Sequence, residues 1–346
     1  MTAAVVTGAG AALPAQVEQS AMWDGFFARH YEGVRAARRI FAASGVQRRH
    51  AVANPIDEDV SSWGTGARMT RYLQEALPLG KQAVAGALDD AGLAPGDVGL
   101  FAVVTCTGYA TPGLDIRLAS DLGMPAGLQR LLVGHMGCYA ALPGLAAVGD
   151  FVAARGRPAV LLCCELTSLH VQPAQADLEQ VVAHALFSDA AAAVVVEPGT
   201  GPGRRGGMRV AGVVARTDPS TADHMTWDVT DLGFRMGLSP RVPDVLARHV
   251  GDVVDELLTG AGLRVEDVAG WAVHPGGPRI LDVVRDQLGL VEAQIAASRR
   301  VLAEHGNCSS ATVLLVLQEL GEVDGPVVAM AFGPGLTLYA VLLLPA

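Results

Sequence analysis

AGLAPGDVGLFAVV, Ala91–Val104, and AGLRVEDVAGWAVH, Ala261–His274, are the two stretches on which the reading of the fold turns. Seven of their fourteen positions are identical, and they stand 170 residues apart in a chain of 346. At the same offset RLLVGHMGC, from Arg130, falls on RVLAEHGNC, from Arg300, which matches His135 to His305 and Cys138 to Cys308. Two matches at one offset favour a duplicated unit. The rest of the chain shows what that unit is. Ala3–Thr7, Leu100–Thr105, Leu131–Val133, Ala159–Cys163, Ala191–Val196, Val210–Ala215, Trp271–Val273, Val327–Phe332 and Leu338–Leu343 read as strands. Leu79–Ala91, Tyr139–Ala154, Val242–Leu258 and Ser310–Leu320 read as helices. Continuous apolar strands separated by helices indicate an α/β fold with sheets covered on both faces. The expected halves are residues 1–200 and 205–346, joined through EPGTGPGRRGGMR, Glu197–Arg209, whose Gly, Pro and Arg mark a loop. Such halves pack about a pseudo-twofold axis, with the functional site where corresponding elements meet.

Composition narrows the class. Hydrophobic residues make up 51% and charged residues 17%, enough apolar material for a large core. A net charge of −10 with no long basic run argues against nucleic-acid binding. The five cysteines form no CxxC pair, so a structural zinc site or disulfide framework is not expected, nor any other metal. Reduced thiols fit a cytoplasmic enzyme. MTAAVVTGAGAALP has no basic n-region and reads as a strand rather than a signal peptide. No apolar run reaches the roughly 18 residues that span a bilayer.

Cys138 follows a predicted strand and a small turn, Gly134–Gly137, and a predicted helix begins after it. A thiol there faces free N–H groups and the positive end of the helix dipole, both of which favour thiolate. A buried structural cysteine is the other reading of the same position. Cys308 also starts a helix and is the rival nucleophile, whereas Cys163 and Cys164 sit inside an apolar strand. His274 ends a predicted strand in VHPGGP, a sharp turn able to bring backbone close to a ligand. Asn307, in HGNCSS, occupies the turn before a helix, where it is a donor or simply a cap. Cys, His and Asn in that chain order support thioester acyl transfer or amide hydrolysis. The papain-like C-G-[SA]-C-[WY] signature is missing.

The motifs VHPGGPRILD, EHGNCSSATVLLVLQEL, AFGPGLTLYAVLL and HALFSDAAAAVVV, with VTCTGYATPGLD and MGCYA, resemble type III polyketide synthases, the chalcone-synthase-like branch of the thiolase-fold enzymes. The resemblance runs from about Gly45 to the C-terminus. It implies a thiolase-like fold of two duplicated halves in α-β-α-β-α layers. It implies that Cys138 accepts the acyl group, that His274 keeps it as thiolate, and that His274 and Asn307 hold the extender thioester carbonyl. The activity implied is that of an acyltransferase: decarboxylative Claisen extension of an acyl starter by malonyl units, with few extensions and a cyclisation. Neither a metal nor a redox cofactor is implied. Phe187 and Phe234 match the family's paired aromatics, and Cys106, His170, Met225 and Ser309 match cavity positions. His170, Met225, Cys106, Ala141, Ser188 and Ala190 depart from the plant pattern, most of them by adding volume, which implies a small cavity.

At the entrance only Arg39 (with Arg35 and Arg38 nearby) and Arg279 match the cations that grip the coenzyme A arm. Coenzyme A and an acyl carrier protein present the same thiol arm, so both stand as donors. The family forms homodimers, and Thr111, in TGYATPG, matches a position that reaches the partner's cavity. Competing readings are a single-condensation ketosynthase and a Cys–His–Asn acyl hydrolase.

Overall fold

The computed structural model describes residues 2–199 and 207–346. The first half runs β1 (Ala4–Ala12), β2 (Gln16–Glu18), α1 (Gln19–Met22), α2 (Ala28–His30), α3 (Ala37–Ala42), β3 (Arg48–His50), α4 (Thr65–Ala91), β4 (Leu100–Thr105), α5 (Leu114–Asp121), β5 (Gln129–Gly134), α6 (Ala141–Arg155), β6 (Ala159–Leu166), α7 (Leu178–Leu186) and β7 (Asp189–Pro198). The second runs β8 (Met208–Thr217), β9 (Met225–Thr230), β10 (Gly233–Leu238), α8 (Val242–Thr259), β11 (Gly270–Val273), α9 (Pro278–Leu288), α10 (Ala296–His305), α11 (Ala311–Leu320), β12 (Val327–Gly333) and β13 (Thr337–Pro345). Part of the expected junction, residues 200–206, lies outside the described residues.

Nine strands form one sheet in the order β11-β12-β13-β8-β1-β7-β6-β4-β5. Its centre is the antiparallel β1–β8 pair, Val5 with Arg209 and Val6 with Met208. Outward from that pair the halves repeat each other. β1–β7 and β8–β13 are antiparallel, β7–β6 and β13–β12 are antiparallel, and β6–β4 and β12–β11 are parallel. α4 packs under β1, β7 and β6, while α8 packs under β8 and β13. α6 and α11 lie between the halves and touch strands of both, which yields five layers and a central core that includes Leu142, Leu145, Cys308, Val313 and Leu314. β6 is buried at every position, so AVLLCC, 159–164, reads as an unbroken apolar run rather than an alternation.

The first sequence match is structural. Asp97 Oδ2 accepts the Ala94 N–H at 2.9 Å ahead of β4, and Asp267 Oδ2 accepts the Arg264 N–H at 2.8 Å ahead of β11. The second match holds only in part. Arg130–Gly134 lies in β5, but Arg300–His305 lies in α10, so the pairing of His135 with His305 is not a structural equivalence. Equivalence returns at the cysteines, each three residues before its helix, α6 or α11. β5 has no counterpart in the second half, and its six residues form the exposed edge of the sheet. α4 also begins earlier than Leu79 and runs through Pro78. Proline removes one helix bond there, but burial of Tyr72, Ala76, Ala83 and Val84 carries the helix across it.

Gly8 and Gly10 on β1 let α4 lie directly on the strand: a Cβ on Gly10 would overlap Ala83 O and Ala87 N. Gly10→Ala is therefore predicted to destabilise by about 1–3 kcal/mol. Gly86→Ala, whose Cβ would meet only Gly10 Cα at 3.7 Å, is predicted to be neutral or to stabilise by about 0.5–1 kcal/mol. Thermal denaturation of the two variants reads both signs.

Candidate active site

Three connections between secondary-structure elements converge on one cavity. Cys138 stands in the turn that leads into α6 and is 5% exposed. His274 follows β11, and its N–H donates to Met330 O on β12 at 2.8 Å. Asn307 sits between α10 and α11. Its N–H donates to Leu186 O at 2.8 Å and its carbonyl accepts the Ser188 N–H at 2.9 Å, a bridge that ties the second half to the end of α7.

The turn after β12 packs against the Cys138 turn. A Cβ on Gly333 would stand 3.3 Å from Cys138 N, and one on Gly137 would stand 2.6 Å from Pro334 Cδ. Gly137, at φ +79, has the left-handed backbone that glycine adopts without strain. Phe332, one residue earlier, meets the His274 ring edge to face at 5.8 Å.

The polar ends are aimed by their neighbours. Asn307 Oδ1 accepts the Ser309 N–H at 2.9 Å. That fixes the amide orientation and leaves the two Nδ2 hydrogens for the Cys138 thiol and the cavity. The Asn307 and Ser309 side chains both hydrogen-bond the Cys138 thiol. His274 is 1% exposed, and neither ring nitrogen has a hydrogen-bond partner among the described residues. A buried imidazole without partners is unusual; here it faces a cavity of about 540 Å³ that Cys138 and Asn307 also line. Leu178, Val182, Leu186, Met236, Leu238 and Ile280 make the walls apolar.

Family models for the chalcone and stilbene synthases match almost the whole chain, the N-terminal domain over residues 2–202 and the C-terminal domain over residues 213–345. The chain belongs to the chalcone and stilbene synthase family. It is a type III polyketide synthase with the thiolase-like fold, and so an acyltransferase. A 1,3,6,8-tetrahydroxynaphthalene synthase of Streptomyces peucetius subsp. caesius is 38% identical over 88% of this chain and 82% of that one. A 3,5-dihydroxyphenylacetyl-CoA synthase of Streptomyces toyocaensis is 34% identical over 89% and 82%. Among solved structures, PKS-I of the brown alga Ectocarpus siliculosus superposes with a TM-score of 0.93 at 26% identity, covering 100% of this chain and 99% of that one. The fungal type III polyketide synthase ORAS superposes with a TM-score of 0.90 at 26% identity, covering 99% and 100%.

Of the other residues singled out in this polyketide synthase, Phe187, Met225 and Arg279 line the large cavity. Arg39 is exposed on α3 beside Ile40 and Ala43, which line it too. Neither arginine is ion-paired among the described residues. Cys106, His170, Phe234 and Ser309 are not among the residues lining it. His170 Nδ1 accepts the Phe234 N–H at 2.9 Å, so its proton is on Nε2 and donates to Thr107 O at 2.7 Å. It stacks on Phe234 at 4.6 Å beside a separate cavity of about 40 Å³. Its bulk thus fills core rather than narrowing the space before Cys138; of the six positions that depart from the plant pattern, Met225 lines that space and the others do not.

Cys308 is fully buried, and burial raises its thiol, as do the charges of Asp189 and Glu165. It does not line the large cavity. Sequence reasoning missed Glu165, a buried carboxyl that accepts from Cys106 N at 3.0 Å, Thr107 Oγ1 at 2.8 Å and Ser310 Oγ at 2.5 Å. Its signal was a lone acid in an otherwise apolar strand, which needs dedicated partners. Trp227, whose indole N–H donates to Cys106 O at 2.6 Å, carried no such signal.

Burial pushes the Cys138 thiol up to about 12, against the pull of its Ser309 and Asn307 hydrogen bonds, and pushes His274 down to about 3. A lone charge on either is disfavoured, whereas opposite charges on a thiol and an imidazole lining one dry cavity would attract strongly. The alkylation of Cys138 by iodoacetamide is predicted to stay fast from about pH 6 to 8. Removing the imidazole in His274→Ala leaves a lone buried thiol, so the rate at pH 7 is predicted to fall by roughly tenfold or more and its rise to move to alkaline pH. Peptide mapping identifies the alkylated cysteine.

Proposed function

We propose that this synthase loads an acyl starter on Cys138 and extends it by decarboxylative condensation with malonyl thioester. One observation carries the reading: a single apolar cavity presents a thiol, an imidazole with no partner among the described residues and an amide N–H₂ beside the thiol. His274 takes the thiol proton as the Cys138 thiolate attacks the starter thioester, and the departing thiolate takes that proton back. The malonyl thioester then loses carbon dioxide. The two electrons left behind form an enolate, whose oxygen meets donors already in place on His274 and Asn307 Nδ2. The enolate carbon attacks the acyl–Cys138 carbonyl, and the Cys138–acyl bond breaks to restore the thiolate. Two carbons are added per cycle.

The donor is coenzyme A or a carrier-protein arm; Arg39 and Arg279 at the cavity mouth suit its phosphates. Met225, 9% exposed on the cavity wall, limits the number of extensions. The protein acts as a cytoplasmic homodimer. Support for the dimer is the free edge β5 with Leu131 and Leu132 exposed, beside Ile116 and the loop carrying Tyr109 and Thr111. Unpaired apolar edges of this kind recruit another strand. Five free cysteines suit a reducing compartment.

Purified enzyme incubated with malonyl-CoA and a panel of acyl-CoA starters should yield products heavier by successive two-carbon units. Free starter acid alone would indicate a hydrolase, and a single extension throughout would indicate a one-step ketosynthase. Cys138→Ala should abolish condensation; retained product would move the nucleophile to Cys308. Met225→Gly should lengthen the product, and unchanged mass would remove Met225 from length control. Leu132→Glu should halve the particle mass by light scattering.

A further inference from the structure

The short strand β3 reaches the end of α10 and the α7–β7 connection, on two sides of Asn307, although it belongs to the other half of the chain. Arg48 ion-pairs with Glu304, three residues before Asn307. His50 Nδ1–H donates to Pro14 O at 2.8 Å, so its Nε2 accepts from His305 Nδ1–H at 3.0 Å. The His50 N–H donates to Ser188 Oγ at 2.8 Å, and that hydroxyl donates to His50 O at 3.2 Å.

Arg49 lies between them and is 4% exposed. Its Nη1 donates to His184 O at 2.5 Å and to Phe187 O at 3.2 Å, two carbonyls at the end of α7. Those carbonyls form the negative end of the helix dipole, which a cation satisfies. The Phe27 and Phe41 rings flank the guanidinium at 5.5 and 5.8 Å. The carbonyl of Leu186, which holds Asn307 N–H, lies between the two that Arg49 binds. A Cβ on Gly306 would stand 2.9 Å from Ser188 Cβ and 3.5 Å from Arg49 Cβ, so the turn rests directly on this arginine.

We propose that Arg49 is a positioning residue for Asn307. By pinning the end of α7 it sets the main-chain bridge Leu186–Asn307–Ser188, and so the place where Asn307 Nδ2 meets the extender carbonyl. This rests on the reading of Asn307 as an enolate donor. A displacement of about 1 Å in such a donor costs up to roughly a hundredfold in rate. Lysine lacks the planar guanidinium that Phe27 and Phe41 flank and that aims Nη1 at both carbonyls.

The test compares Arg49→Lys, Asn307→Ala and the double variant, with sites counted by the mass-spectrometric end point of Cys138 acylation. Counting acylatable sites removes any unfolded fraction. Per acylated site, Arg49→Lys is expected to lower carbon dioxide release from malonyl-CoA by roughly tenfold to a hundredfold, mainly in kcat. It is expected to add little to the loss in Asn307→Ala, because both act through one group. Unchanged release per site in Arg49→Lys, with release lost in Asn307→Ala, overturns the proposal and leaves the role of Asn307 standing. Losses that multiply in the double variant also overturn it. Full release in Asn307→Ala overturns the reading of Asn307 and the proposal with it.

Discussion

Two main-chain hydrogen bonds, Asn307 N–H to Leu186 O and Ser188 N–H to Asn307 O, join the two halves at the place where the chemistry is assembled. They are possible because α6 and α11 lie between the halves and end their leading turns side by side. One helix carries a cysteine three residues before its start and the other carries the Asn–Cys pair. The β1–β8 pairing fixes the relation between halves at the centre of the sheet. With that fixed, the turn after β12 closes on Cys138, and His274 arrives at the end of the parallel pair β11–β12.

The cavity is apolar, and that decides its electrostatics. Burial disfavours a single charge on Cys138 and on His274. The buried carboxyls are held by dedicated donors. Glu165 is held by three donors, and Asp189 is held by Val52 N–H, Ser168 and Thr167. Of the residues lining the cavity, His274 has both ring nitrogens without a partner among the described residues, and Asn307 turns its amide N–H₂ away from the Ser309 N–H.

Much of this was legible in the chain. The repeated Ala-Gly-Leu…Asp-Val…Ala-Val pattern marks a capped turn into a buried strand, and each copy builds the same turn with the same aspartate. The apolar runs located β4, β6, β7, β11, β12 and β13 because those strands are buried on both faces. The repeat misled where one half spends its residues on an edge strand and the other on a helix, since RLLVGH and RVLAEH fit either state in isolation. Cys138, His274 and Asn307 stand out because each sits at a junction rich in glycine or small polar residues. The placement of His170 was not legible. Its two hydrogen bonds come from residues 63 and 64 positions away, and they turn its ring into the core. Arg49 was equally hidden, as one arginine in an RRH run whose partners lie in α7.

The most direct test of the account is intact-protein and peptide mass spectrometry after brief exposure to an acyl-CoA starter, followed by malonyl-CoA. The account predicts a starter adduct on the peptide containing Cys138, consumed on addition of malonyl-CoA as a product two or more carbons longer appears. An adduct on Cys308, or an adduct on Cys138 that malonyl-CoA discharges only as free acid, would contradict it.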